Sequence, residues 1–247
     1  MIRLRVSAAL NVHDGYTGKA VTQNAVRCYL DGRPFRPEFR PGGYLVFVNL
    51  PAGPHEVLLQ GAYYQDERVA LELDGETPLA RNVTLKPAAN YPFPRAATQL
   101  TAVLRERGKP VPGRALWVAE AAPLGELKLA QDTVAPGSRG AKLYFRGGEG
   151  GRFPRDYLLC DGKKSEIVPI AGARDGEAAF DAPLQYEHKR GAAFYPAQAY
   201  RTNGMGEILA FFREPGNVKI FDPEKNALTG LTLTEGRNEV GLPRGKE

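Results

Sequence analysis

The stretch 42–64, GGYLVFVNLPAGPHEVLLQGAYY, restricts what this chain can fold into more than any other. A Gly-Gly pair opens it. Tyr44-Leu45-Val46-Phe47-Val48 follows with apolar residues at both parities, the pattern of a strand covered on both faces. Asn49-Leu50-Pro51-Ala52-Gly53 carries turn chemistry, since proline presets φ and glycine accepts a positive φ without steric cost. His55-Glu56-Val57-Leu58-Leu59-Gln60 then reads as a second strand with Val57 and Leu59 on one face. Strand, short Pro/Gly turn and strand in that order predict a β-hairpin.

Alternation continues on both sides of this stretch. Ile2, Leu4, Val6, Ala8 and Leu10 interleave with Arg3, Arg5 and Ser7, which predicts a first strand over 2–10. Asp14-Gly15-Tyr16-Thr17-Gly18-Lys19 is a turn, and Val26, Cys28 and Leu30 mark a second strand ending at Asp31-Gly32. In Arg33-Pro34-Phe35-Arg36-Pro37-Glu38-Phe39-Arg40-Pro41 the prolines forbid a central strand. Val69, Leu71 and Leu73, then Val83 and Leu85, supply two further alternating runs. Short strands at this spacing, with turn signals between them, predict an all-β sandwich.

The residues Thr17-Gly18-Lys19-Ala20-Val21, followed by Gly43-Tyr44-x-Val46-Phe47-x-Asn49-Leu50-Pro51-Ala52-Gly53-x-His55-x-Val57, resemble the carboxypeptidase regulatory-like, transthyretin-like (prealbumin-like) β-sandwich family over residues 1–88. In that family G-x-Y-x-F-x-x-L-x-x-G-x-Y-x-V marks the central hairpin; His55 stands at its usual tyrosine. The resemblance implies an immunoglobulin-like sandwich, typically non-catalytic, that braces a neighbouring domain, binds sugars or proteins, or forms part of a larger assembly.

A second copy follows. Residues 89–98 include Tyr91-Pro92-Phe93-Pro94, which reads as a stiff connector whose rings pack on a flanking domain. Leu100, Ala102 and Leu104 then alternate again, and Gly108-Lys109-Pro110-Val111 echoes Gly18-Lys19-Ala20-Val21 at a displacement of 90. The counterpart of the opening stretch comes later: Gly206-Glu207-Ile208-Leu209-Ala210-Phe211-Phe212 and Gly216-Asn217-Val218 echo Gly43 and Gly53 at a displacement of 163. The expected organisation is therefore a sandwich over 1–88, a connector over 89–98, and a second sandwich from 99–122 with 199–247. A β-rich insertion over 123–198 interrupts that second sandwich, because a segment of this length is not left structureless in a compact protein.

Chemistry is harder to find. The three histidines, His13, His55 and His188, begin no His-x-x-Glu or His-Glu-x-x-His motif, so no metal site is expected. Ser7, Ser138 and Ser165 lie in no nucleophile motif, and Cys160 has no neighbouring histidine. Gly147-Gly148-Glu149-Gly150-Gly151 lacks the Gly-Lys-Ser/Thr ending of a phosphate loop and reads as a hairpin tip. Cys28 and Cys160 sit far apart in apolar runs and read as buried free thiols. The net charge of +5 is low for a dedicated nucleic-acid binder. No run approaches the roughly 18 apolar residues of a membrane span, and the alternating N-terminus contains no signal-peptide core, so a cytoplasmic location is expected.

Two kinds of side chain remain for an interaction surface. Arg33, Arg36 and Arg40 form the densest basic stretch of the first domain, read as a rigid rim strap in preference to a nucleic-acid contact. Tyr63, Tyr64, Phe194, Tyr195 and Tyr200 stand near predicted strand ends, where rings stack on sugars, anchor proteins or seal a sandwich edge. The expectation is a non-enzymatic structural or adaptor subunit without cofactor, part of a protein assembly such as a phage-tail-like or contractile particle. The alternative is a carbohydrate-binding or adhesion module that holds a glycan with its aromatic loops.

Overall fold

The computed structural model describes residues 4–93, 97–120, 126–146, 155–162 and 164–242. These are all strand, turn or irregular connection, so the fold class is all-β. Two compact units divide the chain, Met1–Arg95 and Ala96–Glu247.

The first unit contains β1 (Val6–Asp14), β2 (Arg27–Leu30), β3 (Arg33–Phe35), β4 (Glu38–Arg40), β5 (Tyr44–Val48), β6 (Gly53–Gln60), β7 (Glu67–Leu73) and β8 (Leu79–Leu85). They form two four-stranded sheets, β4-β5-β1-β8 and β3-β2-β6-β7. Because successive side chains point to opposite faces, one parity of each strand turns inward. Leu10 of β1, Phe47 of β5, Leu59 of β6, Leu71 of β7 and Leu85 of β8 are fully buried in one shared core. Each such side chain contributes about 1.5–3 kcal/mol of transfer free energy.

The expected hairpin is not one. β5 pairs with β1 and β4, whereas β6 pairs with β2 and β7. The turn between them is an arch from one sheet to the other. Asn49 takes a positive φ of 54° and its N–H donates to the Arg5 carbonyl at 2.8 Å, while the Asn49 Oδ1 accepts from the Arg5 N–H at 2.9 Å. The Leu50 N–H donates to Ser7 Oγ at 2.9 Å, and the Leu50 side chain turns into the core. Coverage of β5 is also one-sided: Leu45 and Phe47 are buried, while Tyr44 is 41% exposed. A turn that leads inward over its own core closes a sandwich where a turn at the rim would have closed a hairpin.

The second unit contains β9 (Thr98–Val103), β10 (Arg105–Glu106), β11 (Lys109–Pro110), β12 (Ala115–Glu120), β13 (Glu126–Leu129), β14 (Thr133–Val134), β15 (Gly140–Arg146) and β16 (Arg155–Cys160). It continues with β17 (Ser165–Arg174), β18 (Glu177–Phe180), β19 (His188–Lys189), β20 (Ala193–Arg201), β21 (Glu207–Phe212), β22 (Gly216–Asp222), β23 (Ala227–Leu233) and β24 (Arg237–Gly241). The sheet β21-β9-β24 and the strands β20-β12-β22-β23 enclose a core that includes Leu100, Leu116, Ile208 and Ile220.

This sandwich repeats the first in pairing as well as in sequence. β1 pairs antiparallel with β5 and parallel with β8, and β9 pairs antiparallel with β21 and parallel with β24. The order β2-β6-β7 recurs as β12-β22-β23. The Val12 N–H donates to the Gly43 carbonyl at 2.9 Å, as Leu104 does to Gly206 at 2.8 Å. The Val12 carbonyl accepts from Val21 at 3.0 Å, and that of Leu104 from Val111 at 3.2 Å. The sequence echoes at displacements of 90 and 163 thus fall on equivalent backbone junctions.

The intervening strands close on themselves. β13, β15, β18, β17, β16 and β20 pair in that order, all antiparallel, and β13 pairs back to β20 through Leu127↔Phe194 and Lys128↔Ala193. The result is a small barrel filled by side chains including Leu129, Tyr157, Leu159, Ile170, Phe180 and Phe194. Closure of this kind leaves no open edge. Among the described strands, only β20 joins barrel to sandwich by pairing, as its first half pairs with β16 and β13 while residues 197–201 pair with β12. One strand therefore runs across position 198, where the sequence reading placed the end of the insertion.

Candidate interaction surface

The arginines of the strap are where a rim would put them. β3 ends one sheet of the first unit and β4 ends the other, so 33–40 crosses between the two edges. Arg33, Arg36 and Arg40 are exposed, and Arg40 donates to Glu38 at 2.7 Å. Phe35 and Phe39 pack inward on the core, Phe35 stacked on Phe47 at 5.5 Å between ring centroids. The strap turns its charges to water and its rings to the core.

The aromatic set does not form one surface. Tyr63 is 50% exposed. Tyr64 is half-buried, and its hydroxyl donates to Asp14 Oδ2 at 2.8 Å. Phe194 lies in the barrel core at 3% exposure, and Tyr200 in the sandwich core at 7%. Those two are corrected from surface to core: alternation on β20 aims Phe194 into the barrel and leaves its neighbour Tyr195 outside. Tyr195 is half-buried, with Lys219 Nζ 5.2 Å above its ring. A glycan platform built from all five rings is not present.

Tyr64 belongs to a different device. Asp14, at the end of β1, is 7% exposed and accepts from the Tyr64 hydroxyl, the Tyr91 hydroxyl at 2.6 Å, and the N–H groups of Tyr16 and Thr17 at 2.8 and 2.7 Å. Burial raises this carboxyl, but the hydrogen bonds from Tyr91, Thr17, Tyr64 and Tyr16 outweigh burial and hold it below the usual carboxylate range. Burial and the neighbouring Asp14 together raise the Tyr64 phenol. Tyr91 and Phe93 pack on Tyr16 around the same group. The cluster ties the last segment of the first unit to its first strand.

Sequence reasoning missed two arrangements. His188 is fully buried, with Nε2 2.8 Å from Glu166 Oε1 and Nδ1 3.1 Å from Asp161 Oδ2. Glu166 also accepts from the N–H groups of Gln185 and Tyr186 at 2.8 and 3.0 Å. Both ring nitrogens are engaged, and among the described residues no group of His, Cys, Asp and Glu side chains is arranged to hold a metal ion. Nothing in the sequence around His188 announces partners that stand 22 and 27 residues away. Both cysteines are free; burial pushes the Cys28 thiol up to about 11 and also raises that of Cys160.

The second arrangement is the outer face of β20-β12-β22-β23. Trp117 stands opposite Phe221, and Phe221 opposite Leu228, so the three share a row on one face. Phe221 is 3% exposed, Trp117 half-buried, and Leu228, on the terminal strand, 39% exposed. The row could have been read from alternation once β12, β22 and β23 were known to be neighbours.

No protein-family model matches the chain, and no curated protein does. Solved structures similar to it include the major pilin subunit of Bacillus cereus, with 8% identity, 97% of this chain and 99% of that one covered, and a TM-score of 0.27. The minor pilin of Streptococcus agalactiae has 12% identity, coverage of 98% and 99%, and a TM-score of 0.26. A streptococcal ancillary pilin has 12% identity and a TM-score of 0.27 over 83% of this chain, which spans about half (48%) of that pilin. Likeness of this degree carries no argument about what the chain does.

Proposed function

We propose that the chain is a non-catalytic scaffold subunit of a protein assembly. The observation that carries this reading is β20, one strand whose main-chain pairs run continuously from a closed barrel into a sandwich sheet. Joined through a loop, two domains hinge; joined through a shared strand, they bend only by breaking a ladder of backbone hydrogen bonds. Such a unit holds whatever it carries at a set distance and orientation. The resemblance of residues 1–88 to transthyretin-like modules points the same way.

Native mass in the soluble lysate of the source cell tests the reading, with co-migrating proteins identified. The expected result is migration in a large defined particle whose other members name it, a contractile phage-tail-like particle being the specific proposal. Migration as a lone 27.0 kDa species overturns the reading.

A further inference from the structure

Beside β23 (Ala227–Leu233), six described strands end an open sheet in the two sandwiches; five of them carry a charge and no proline, or lie between prolines, and the sixth carries both. β3 holds Arg33 and Pro34; β4 carries Glu38 and Arg40 between Pro37 and Pro41; β7 carries Glu67, Arg68 and Glu72. β8 carries Arg81, β21 carries Glu207, and β24 carries Arg237 and Glu239. Charge and proline are the devices that keep an open edge from pairing with another chain. β23 has neither. It reads Ala227-Leu228-Thr229-Gly230-Leu231-Thr232-Leu233, pairs with β22 along its whole length without a bulge, and has no described strand on its other side. Its 7 residues make an edge about 23 Å long.

We propose that β23 is a self-pairing edge that joins two copies of this chain, antiparallel, about a two-fold axis at Gly230. The proposal rests on the assembly reading above and names one of its contacts. Pairing about Gly230 sets Leu228 opposite Thr232 of the second copy and Thr229 opposite Leu231. Inward residues meet inward residues, so two sandwich sheets become one. A second β23 brings no charge to an edge that offers no counter-charge. It also brings a space where one is needed: Leu228, the exposed end of the Trp117–Phe221 row, comes diagonal to the second copy's Gly230, which has no side chain to obstruct it. An interface of one strand pair is small, so the dimer is concentration-dependent.

Gly230 supplies the test, because its φ lies outside the positive range and a Cβ there meets nothing within 4 Å. The full chain is examined by sedimentation equilibrium over a wide concentration range, with circular dichroism confirming that each variant folds. The wild type is expected to show a monomer–dimer equilibrium. Gly230→Lys and Gly230→Glu each place like charges across the axis and weaken the dimer roughly tenfold or more, and an equal mixture of the two restores association. Gly230→Cys cross-links to its own counterpart under mild oxidation, which the unsubstituted chain does not do. A wild type that stays monomeric, or a Gly230→Lys chain that associates as the wild type does, overturns the proposal. A monomeric wild type that still migrates in a particle in the lysate overturns self-pairing alone and leaves the assembly reading in place. A purified dimer whose lysate form belongs to no particle does the reverse.

Discussion

A Cβ placed on Gly43 would lie 2.5 Å from the carbonyl oxygen of Val12, while the Val12 N–H donates to the Gly43 carbonyl at 2.9 Å. Gly206 and Leu104 repeat the relationship, at 2.5 and 2.8 Å. Each glycine also has a positive φ, 80° and 75°. The backbone of the strand after this junction passes so close to the first strand of its sandwich that no side chain fits between them.

Gly43→Ala and Gly206→Ala are therefore expected to destabilise the protein by about 2–4 kcal/mol each, combining left-handed backbone strain with displacement of a buried carbonyl. Gly108→Ala separates the two causes: its φ is 80° but a Cβ there meets nothing within 4 Å. It should cost only the strain, about 1–2 kcal/mol. Chemical denaturation midpoints of the three variants check this, and equal losses in all three would refute the steric part.

Asp14 sets an acid limit on the first unit. Its carboxyl is held below its ordinary value in the folded state, so it contributes stability at pH values above the unfolded value near 4. That contribution is lost as pH falls through the lower folded value. Tyr91→Phe removes the shortest of its hydrogen bonds and is expected to cost about 1.5–3 kcal/mol at neutral pH. The loss should shrink in strong acid, where the wild type has already lost the charged acceptor. Unfolding curves at neutral and acid pH measure both.

His55 sets a limit of opposite sign. The Asp31 carboxylate, 2.7 Å from Nδ1, raises the imidazole, and the Pro51 carbonyl adds to this while burial opposes it. A folded value above the unfolded one, near 6.5, means stability that is complete below about pH 6.5 and lost as pH rises through the folded value. His55→Gln should flatten the stability profile on the alkaline side of neutrality. It should also weaken the acid-side dependence, because the same hydrogen bond is the largest cause holding the Asp31 carboxyl below its ordinary range. A slope retained in the variant would assign the pH dependence elsewhere.

His188→Ala should be severe for a residue with no assigned chemistry. It leaves Glu166 buried, with its imidazole partner gone, and breaking such a buried pair costs about 3–5 kcal/mol. Glu38→Ala, which removes the exposed Arg40–Glu38 pair, should shift stability by only about 0–1 kcal/mol. Thermal melts of the two variants decide whether burial sets the difference.

Much of this protein was legible as period and spacing. Alternation put Ala8 and Leu10 on one face and Val69, Leu71 and Leu73 on another, and all five are buried. Leu4 and Val6, read on the same face as Leu10, are exposed because the strand begins only at Val6. The prolines at 34, 37 and 41 marked a rim, and the strap is one. The repeat showed because the same close backbone junction demands glycine at both 43 and 206. Phe194 and Tyr195 were read together as surface rings, although neighbours on one strand point to opposite faces, and only the strand β20 shows Phe194 to be the one inside.

Partner choice was left to the tertiary structure. Side-chain period is a local property, written in each strand, but a strand's neighbours depend on which pairings let several apolar faces close over one core. So β5 and β6, next to each other in sequence, lie in different sheets, and the supposed hairpin is an arch. β20 likewise serves a barrel and a sandwich at once. His188 finds its two carboxylates only because β16, β17 and β19 converge. The sequence by itself determined that the chain is all-β in class and apolar on one side of nearly every described strand. Which edges those pairings left open, β23 among them, was decided only when the cores closed.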